Sequence, residues 1–133
     1  MLSQILTSGV VSKRAYLLKG QKLLNNSRII QARELFRKAF AVDPLDPIPQ
    51  MLIAETYATS TDQDEIKWAV QLAESACKSS KWNNPEVIET LIKVYQLNSE
   101  LVKAELFSAR LKEIGEYKIG TQNIKTQAVS FSK

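Results

Sequence analysis

The sequence lacks histidine altogether and contains a single cysteine, Cys77. Without histidine the chain has neither the commonest general base nor the commonest metal ligand. A lone cysteine excludes an intrachain disulfide and a metal cluster held by cysteines. The sequence also contains no glycine-rich phosphate loop and no nucleophile elbow. These absences predict a protein that is not an enzyme and needs no cofactor or metal.

Glycine and proline are scarce, with four of each in 133 residues, and three of the prolines lie within 44–49. A β-sandwich or barrel needs turn residues at much shorter intervals, so this scarcity favours long helices. No apolar run approaches the roughly 20 residues of a membrane span. The first twenty residues lack acids, a composition that organelle transit peptides share. Helical periodicity begins inside them, so we expect a cytoplasmic protein, with organelle targeting as the second interpretation.

Positive charge is concentrated at the N-terminal end. Residues 1–42 hold eight basic residues and the single acid Glu34, a net charge of +7, whereas the whole chain carries +4. Charge of this density attracts acidic partners. We therefore treat it as a candidate patch for an acidic protein segment, an anionic surface or nucleic acid. Its residues are Lys13, Arg14, Lys19, Lys22, Arg28, Arg33, Arg37 and Lys38.

Apolar residues recur at helical spacing in six segments separated by short polar breaks. The pattern predicts helices near residues 12–25, 28–42, 47–58, 65–80, 85–97 and 100–114. Ser27, Asp46 and Asn84 are expected to cap the second, third and fifth helices, and Gly115 to end the sixth. Residues 1–12 are then an N-terminal extension and residues 116–133 a flexible or weakly helical tail.

The predicted helices repeat in pairs. Unit one carries Tyr16, Lys19, Gly20, Leu23, Ala32, Phe36, Ala39 and Pro44, and looser matches follow at Ala54, Tyr57, Ala69, Ala73 and Ala76 and at Ile88, Leu91, Ile92, Tyr95, Ala104 and Leu111. This spacing resembles the tetratricopeptide repeat, a helix-turn-helix unit of roughly 34 residues. The stretch from Ile53 to Tyr95 resembles a bacterial style of the repeat.

The resemblance implies an all-α, right-handed α-solenoid of three helix-turn-helix units within residues 13–115. The units cover about residues 13–46, 47–84 and 85–115. One unit cannot bury its apolar face alone, so stacking the three makes a continuous core. The competing interpretation is a non-repetitive helical bundle whose alanines and tyrosines fall on the period by chance.

Members of this repeat family usually bind a protein or peptide along the surface lined by the first helix of each unit. The matching residues here are Leu17, Gln21, Leu24, Met51, Glu55, Glu89, Lys93 and Gln96. The carboxylate clamp of chaperone-binding members is absent, and Leu17 and Met51 would form an apolar floor. The resemblance thus implies a scaffold, an adaptor or assembly subunit or a small chaperone.

The sixth predicted helix has more apolar residues than one packed face requires. Leu101, Val102, Leu106, Phe107 and Leu111 all lie within it. Either the tail or a second chain could cover the surplus, which makes a homodimer or a complex through the C-terminal helix a second predicted contact. Cys77 follows the apolar stripe of the fourth helix, which predicts a small buried side chain rather than a reactive thiol.

Overall fold

The computed structural model describes the backbone of residues 2–130 and the side chains of residues 12–115. Over that backbone the chain is all-α, with six helices and no strand, which confirms the predicted fold class. The helices are α1 Leu2–Asn25, α2 Ile29–Val42, α3 Pro47–Ala58, α4 Gln63–Ser79, α5 Pro85–Leu97 and α6 Leu101–Ser130. Residues 131–133, the end of the predicted tail, lie outside the described residues.

The helices form three sequential hairpins. α1 packs on α2, α3 on α4 and α5 on α6, and α2–α3 and α4–α5 contacts join one hairpin to the next. α3 also contacts α5, so the first helices of the second and third hairpins lie side by side. This arrangement is consistent with three repeated units, whereas the right-handed solenoid stays a prediction.

Small residues set the distance between the two helices of each hairpin. Ala32, Ala69 and Ala104 lie at equivalent positions of α2, α4 and α6, and all three are buried. In the first hairpin, a Cβ on Gly20 would overlap the ring of Phe36, which is itself fully buried. The glycine is therefore required by the close approach of α1 to α2.

The predicted caps are confirmed at two helices and wrong at a third. Asp46 accepts a hydrogen bond from the Ile48 N–H, and Asn84 accepts from two backbone N–H groups at the start of α5. Ser27 does not cap α2, because Arg28 is the N-cap residue and makes no side-chain cap bond. Ser27 instead has a φ of 62° and ends α1 in a left-handed turn.

The two outer helices are longer than predicted. α1 begins at Leu2 rather than near Ser12, so the predicted extension is continuous with the first helix. α6 passes through Gly115 and ends at Ser130. Gly115 has no positive φ and therefore makes no helix-ending turn. A glycine in helical conformation costs only about 1 kcal/mol relative to alanine, and no proline follows it.

Candidate functional site

An open groove of about 300 Å³ crosses the first helices of the three hairpins. α1 contributes one residue, and α3 and α5 contribute the others. Its lining is Gln21, Met51, Leu52, Glu55, Glu86, Glu89, Thr90 and Lys93. Met51 and Leu52 are buried residues of the core cluster, so the groove has an apolar base and a polar rim.

Thr90 fixes one carboxylate of the rim. Its hydroxyl donates to Oε1 of Glu55 at 3.0 Å, which joins α5 to α3 across the groove. The same hydroxyl lies 3.2 Å from the backbone carbonyl oxygen of Glu86, one helical turn earlier. The Glu55 side chain is half-buried and held in place, so it presents an oriented hydrogen-bond acceptor.

The groove is acidic. Glu55, Glu86 and Glu89 contribute three carboxylates, against the single ammonium group of Lys93. Among the residues whose side chains the structure describes, no ion pair involves any of these four groups. Glu86 is exposed in the first turn of α5, where the helix dipole stabilises negative charge, and Glu89 is exposed three residues later. The lining therefore favours a ligand that brings positive charge.

Five of the eight predicted groove residues line this groove, and three do not. Gln21, Met51, Glu55, Glu89 and Lys93 come together in it. The other predicted residues are Leu17, Leu24 and Gln96; the two leucines are partly buried against the core, and Gln96 is exposed further along α5. Leu52 takes the place at the base that was expected for Leu17.

Thr90 was missed because its periodicity places it among the core residues of α5, and it is indeed buried. The available signal was its spacing. Thr90 follows Glu86 by one helical turn, and residues four apart share a helix face.

Three residues of the predicted basic patch form ion pairs or hydrogen bonds within the chain. Lys13 pairs with Asp43 at 3.1 Å and with Asp46 at 3.2 Å. Hydrogen bonds to these two carboxylates raise the pKa of Lys13. Lys13 on α1 thus holds the loop that leads into α3, and its charge is neutralised locally.

Two arginines of the patch bind the second hairpin. Arg33 donates from Nε to the hydroxyl of Thr56 at 2.9 Å, and its guanidinium lies 3.8 Å from the ring centroid of Tyr57. Arg37 donates to the Tyr57 hydroxyl and forms an ion pair with Glu34. These arginines join α2 to α3 by stacking and hydrogen bonding.

The remaining basic residues are all exposed, and Lys38 lies 5.9 Å from the ring centroid of Tyr16. Arg14, Lys19, Lys22 and Arg28 form no ion pair within the described side chains. Lys38 forms no ion pair there either, so five of the eight predicted residues keep their charge available to a partner.

Cys77 is fully buried, as predicted. Its thiol points to the carbonyl oxygen of Val87 at 3.7 Å, and burial, with a smaller contribution from the charge of Glu74, raises its pKa to about 12. Burial and a hydrogen bond to Glu74 likewise raise the pKa of Tyr95. These groups stay protonated at neutral pH. Within the described residues no three Cys, Asp or Glu side chains cluster so as to hold a metal ion.

The outer face of α6 exposes apolar side chains, as its sequence predicts. Leu101, Val102 and Leu106 are 63%, 73% and 64% exposed. Phe107 and Leu111 instead pack partly buried against the core. Of these five apolar residues of α6, only three are therefore left exposed, on one side of the helix.

Comparisons with family models, with curated proteins and with solved structures found no match to this chain. Within the described residues no helix is long and apolar enough to be a membrane-span candidate.

Proposed function

We propose that this chain is a tetratricopeptide-type scaffold whose function is to bind a segment of another protein in the groove across α1, α3 and α5. The observation that carries the proposal is the groove itself. It is lined by the first helix of every hairpin, which is the surface that the sequence resemblance implies for ligands. The Gly20–Phe36 contact and the three buried alanines support the repeat interpretation.

The chemistry of the lining supports a basic partner segment. Three carboxylates surround an apolar base, so a lysine or arginine side chain can place its aliphatic part on Met51 and Leu52 and its charge at the rim. Glu55 is already oriented by Thr90, which lowers the entropy that binding must overcome. Lys93 would then favour partners that also carry an acceptor. An adaptor or assembly subunit, or a small chaperone, would use such a groove.

Selection of peptides on the immobilised chain tests the proposal. A random peptide library should yield binders enriched in lysine and arginine. The double variant Glu86→Lys/Glu89→Lys should weaken them by about tenfold or more, because it replaces two attractive charges at the rim with repulsive ones, and tenfold corresponds to only about 1.4 kcal/mol. Selection of acidic or uncharged peptides only would contradict the proposed groove chemistry.

A matched control separates the groove from net charge. Glu105→Lys/Glu113→Lys makes the same change in total charge at exposed positions of α6, away from the groove. It should leave peptide affinity within about twofold at physiological salt, since charges beyond a Debye length of about 8 Å are screened. Equal losses in both double variants would show that binding follows overall charge rather than the groove.

The alternative function is association with nucleic acid or another anionic surface through the first hairpin. The observation that favours it is the set of five available residues Arg14, Lys19, Lys22, Arg28 and Lys38. Retention on heparin that falls steeply with salt and is lost in Lys19→Gln/Lys22→Gln would support this function. No retention at low salt would exclude it. Arg33 and Arg37 are unsuitable probes, because they join α2 to α3.

A further inference from the structure

A second groove, of about 440 Å³, lies between α2, α3 and α4, and we call it the α2–α4 groove. It shares no lining residue with the groove across α1, α3 and α5. Phe40 from α2, Tyr57 from α3 and Leu72 from α4 line it. Trp68 adds an indole that is 49% exposed and meets Tyr57 edge to face, with ring centroids 5.6 Å apart. The groove is therefore mainly apolar and aromatic, in contrast to the acidic groove across α1, α3 and α5.

A buried amide without a full set of partners lies in its wall. Gln50 is only 9% exposed, and its Nε2 donates to the Ser75 hydroxyl at 3.0 Å. Its Oε1 is buried and accepts no hydrogen bond from the described residues. Buried acceptors are nearly always paired, and an unpaired one costs free energy. A ligand that supplies a donor at this point would remove that cost.

The third hairpin shows what fills the equivalent groove. Phe107 follows Ala104 by three residues, as Leu72 follows Ala69, so the two occupy the same position of their hairpins. Trp82, in the loop before α5, stacks on Phe107 with ring centroids 5.3 Å apart and is partly buried against the core. In the third hairpin, an indole ring of the chain itself therefore covers the residue that is equivalent to Leu72.

The loop before α3 cannot supply the same cover. Leu45 follows Ala39 by six residues, as Trp82 follows Ala76, yet Leu45 is 83% exposed. Lys81 and Trp82 both have a positive φ, of 58° and 60°, and this left-handed pair turns the indole back onto Phe107. Pro44 stands where Lys81 does, and its ring fixes φ near −65°. The first loop therefore leaves the α2–α4 groove open.

We propose that the α2–α4 groove receives a tryptophan side chain from a partner protein. The ring would pack on Leu72, Phe40 and Trp68, as Trp82 packs on Phe107. Its indole N–H would donate to the free Oε1 of Gln50 after a small rotation of that amide. The groove has ample space, because an apolar cavity of roughly 150 Å³ already holds benzene. This contact does not depend on the acidic groove.

Titration of the ¹⁵N-labelled chain with N-acetyltryptophanamide tests the inference. Saturable shifts are expected at the Trp68 indole N–H and the Gln50 side-chain amide, with the Trp82 indole as an unshifted internal control. N-acetylleucinamide should give no saturable shift, and the 1-methylindole analogue should bind at least about fivefold more weakly. Equal binding of the methylated probe, or no saturation with any probe, would overturn the proposal.

Two variants complete the test. Gln50→Leu replaces the amide with an apolar side chain of similar size, so the chain should fold, and it should lose the preference for indole over 1-methylindole. Pro44→Gly/Leu45→Trp should place an internal indole in the groove and abolish probe binding. Unchanged probe binding in both variants would mean that the indole binds outside the α2–α4 groove, and it would overturn the proposal. A dimer in light scattering that Gln50→Leu abolishes would identify a second copy as the occupant and overturn the partner assignment.

Discussion

Gly20 determines how closely α1 approaches α2. The ring of the buried Phe36 occupies the space that a side chain at position 20 would need. The sequence singled out this glycine by its place in the repeat pattern that begins at Tyr16, and the structure gives the physical reason. The same spacing argument does not extend to Gly115, which has no neighbouring atom within 4 Å of a Cβ position.

Gly20→Ala should therefore destabilise the chain. Overpacking of a core contact costs about 1–3 kcal/mol, and the better helix propensity of alanine offsets up to about 1 kcal/mol of it. Urea unfolding followed by circular dichroism measures the change. Gly115→Ala is the matched control and should be neutral or stabilising by up to about 1 kcal/mol. Equal stabilities of the two variants would contradict the close packing of α1 on α2.

Arg33 illustrates what sequence periodicity cannot show at the residue scale. It belongs to a dense basic segment, which favours a solvated or partner-binding charge. Its hydrogen-bond partner, Thr56, lies 23 residues away on the next hairpin. A contact of this kind depends on how two hairpins pack together, so no local sequence pattern predicts it.

The turns that end α1 and α5 are equivalent elements. Ser27 and Ser99 each stand five residues before an alanine at the same position of its hairpin, Ala32 and Ala104, and have φ angles of 62° and 59°. In both turns the following residue donates its N–H back to the helix, from Arg28 to Leu23 and from Glu100 to Tyr95, each at 2.8 Å. These are Schellman motifs in which serine occupies the position that glycine favours.

Ser99→Gly should stabilise the chain by about 0.5–2 kcal/mol, the range for an improved helix cap at a left-handed position. Ser108→Gly, inside α6, supplies the opposite control and should cost about 0.5 kcal/mol, because glycine weakens a helix interior. Thermal unfolding of both variants measures the difference. Destabilisation by Ser99→Gly would mean that position 99 does not adopt the left-handed turn.

At the scale of elements, the sequence predicted all six helices and two of the three expected N-caps. Asp46 and Asn84 were identifiable because each precedes a proline in the first helical turn. The position of Ser27 was misassigned because a serine before a helix usually signals an N-cap, whereas here the preceding helix uses it as an end. The same short polar segment can end one helix or cap the next, so the helix boundary depends on which turn the backbone forms there.

At the scale of the molecule, the first hairpin presents a water-adapted outer side. Leu91 and Val94 of α5 are fully buried, and Lys19 and Lys22 stand at the equivalent positions of α1. Both lysines are exposed, so this side of α1 meets solvent, whereas the equivalent side of α5 is packed. The basic character of the N-terminal segment thus has a structural component, besides any role in binding.

The groove across α1, α3 and α5 was predictable in position and only partly in chemistry. Its position follows from the helix pairing, so Gln21, Glu55 and Lys93 were found. Two of its three carboxylates, Glu55 and Glu89, were predicted, whereas Glu86 was not, and the Thr90–Glu55 hydrogen bond depends on the α3–α5 contact. Helix faces follow from periodicity, but the side chains that two helices bring together depend on their relative placement.

The measurement that most directly tests the groove is an amide chemical-shift map of the ¹⁵N-labelled chain with the tightest basic peptide from the library selection. We predict that the perturbed residues cluster on Gln21, Glu55, Thr90 and Lys93, with exposed α6 residues unaffected. A map centred on the exposed face of α6 or on the basic residues of α1 and α2, with α3 and α5 silent, would contradict the account.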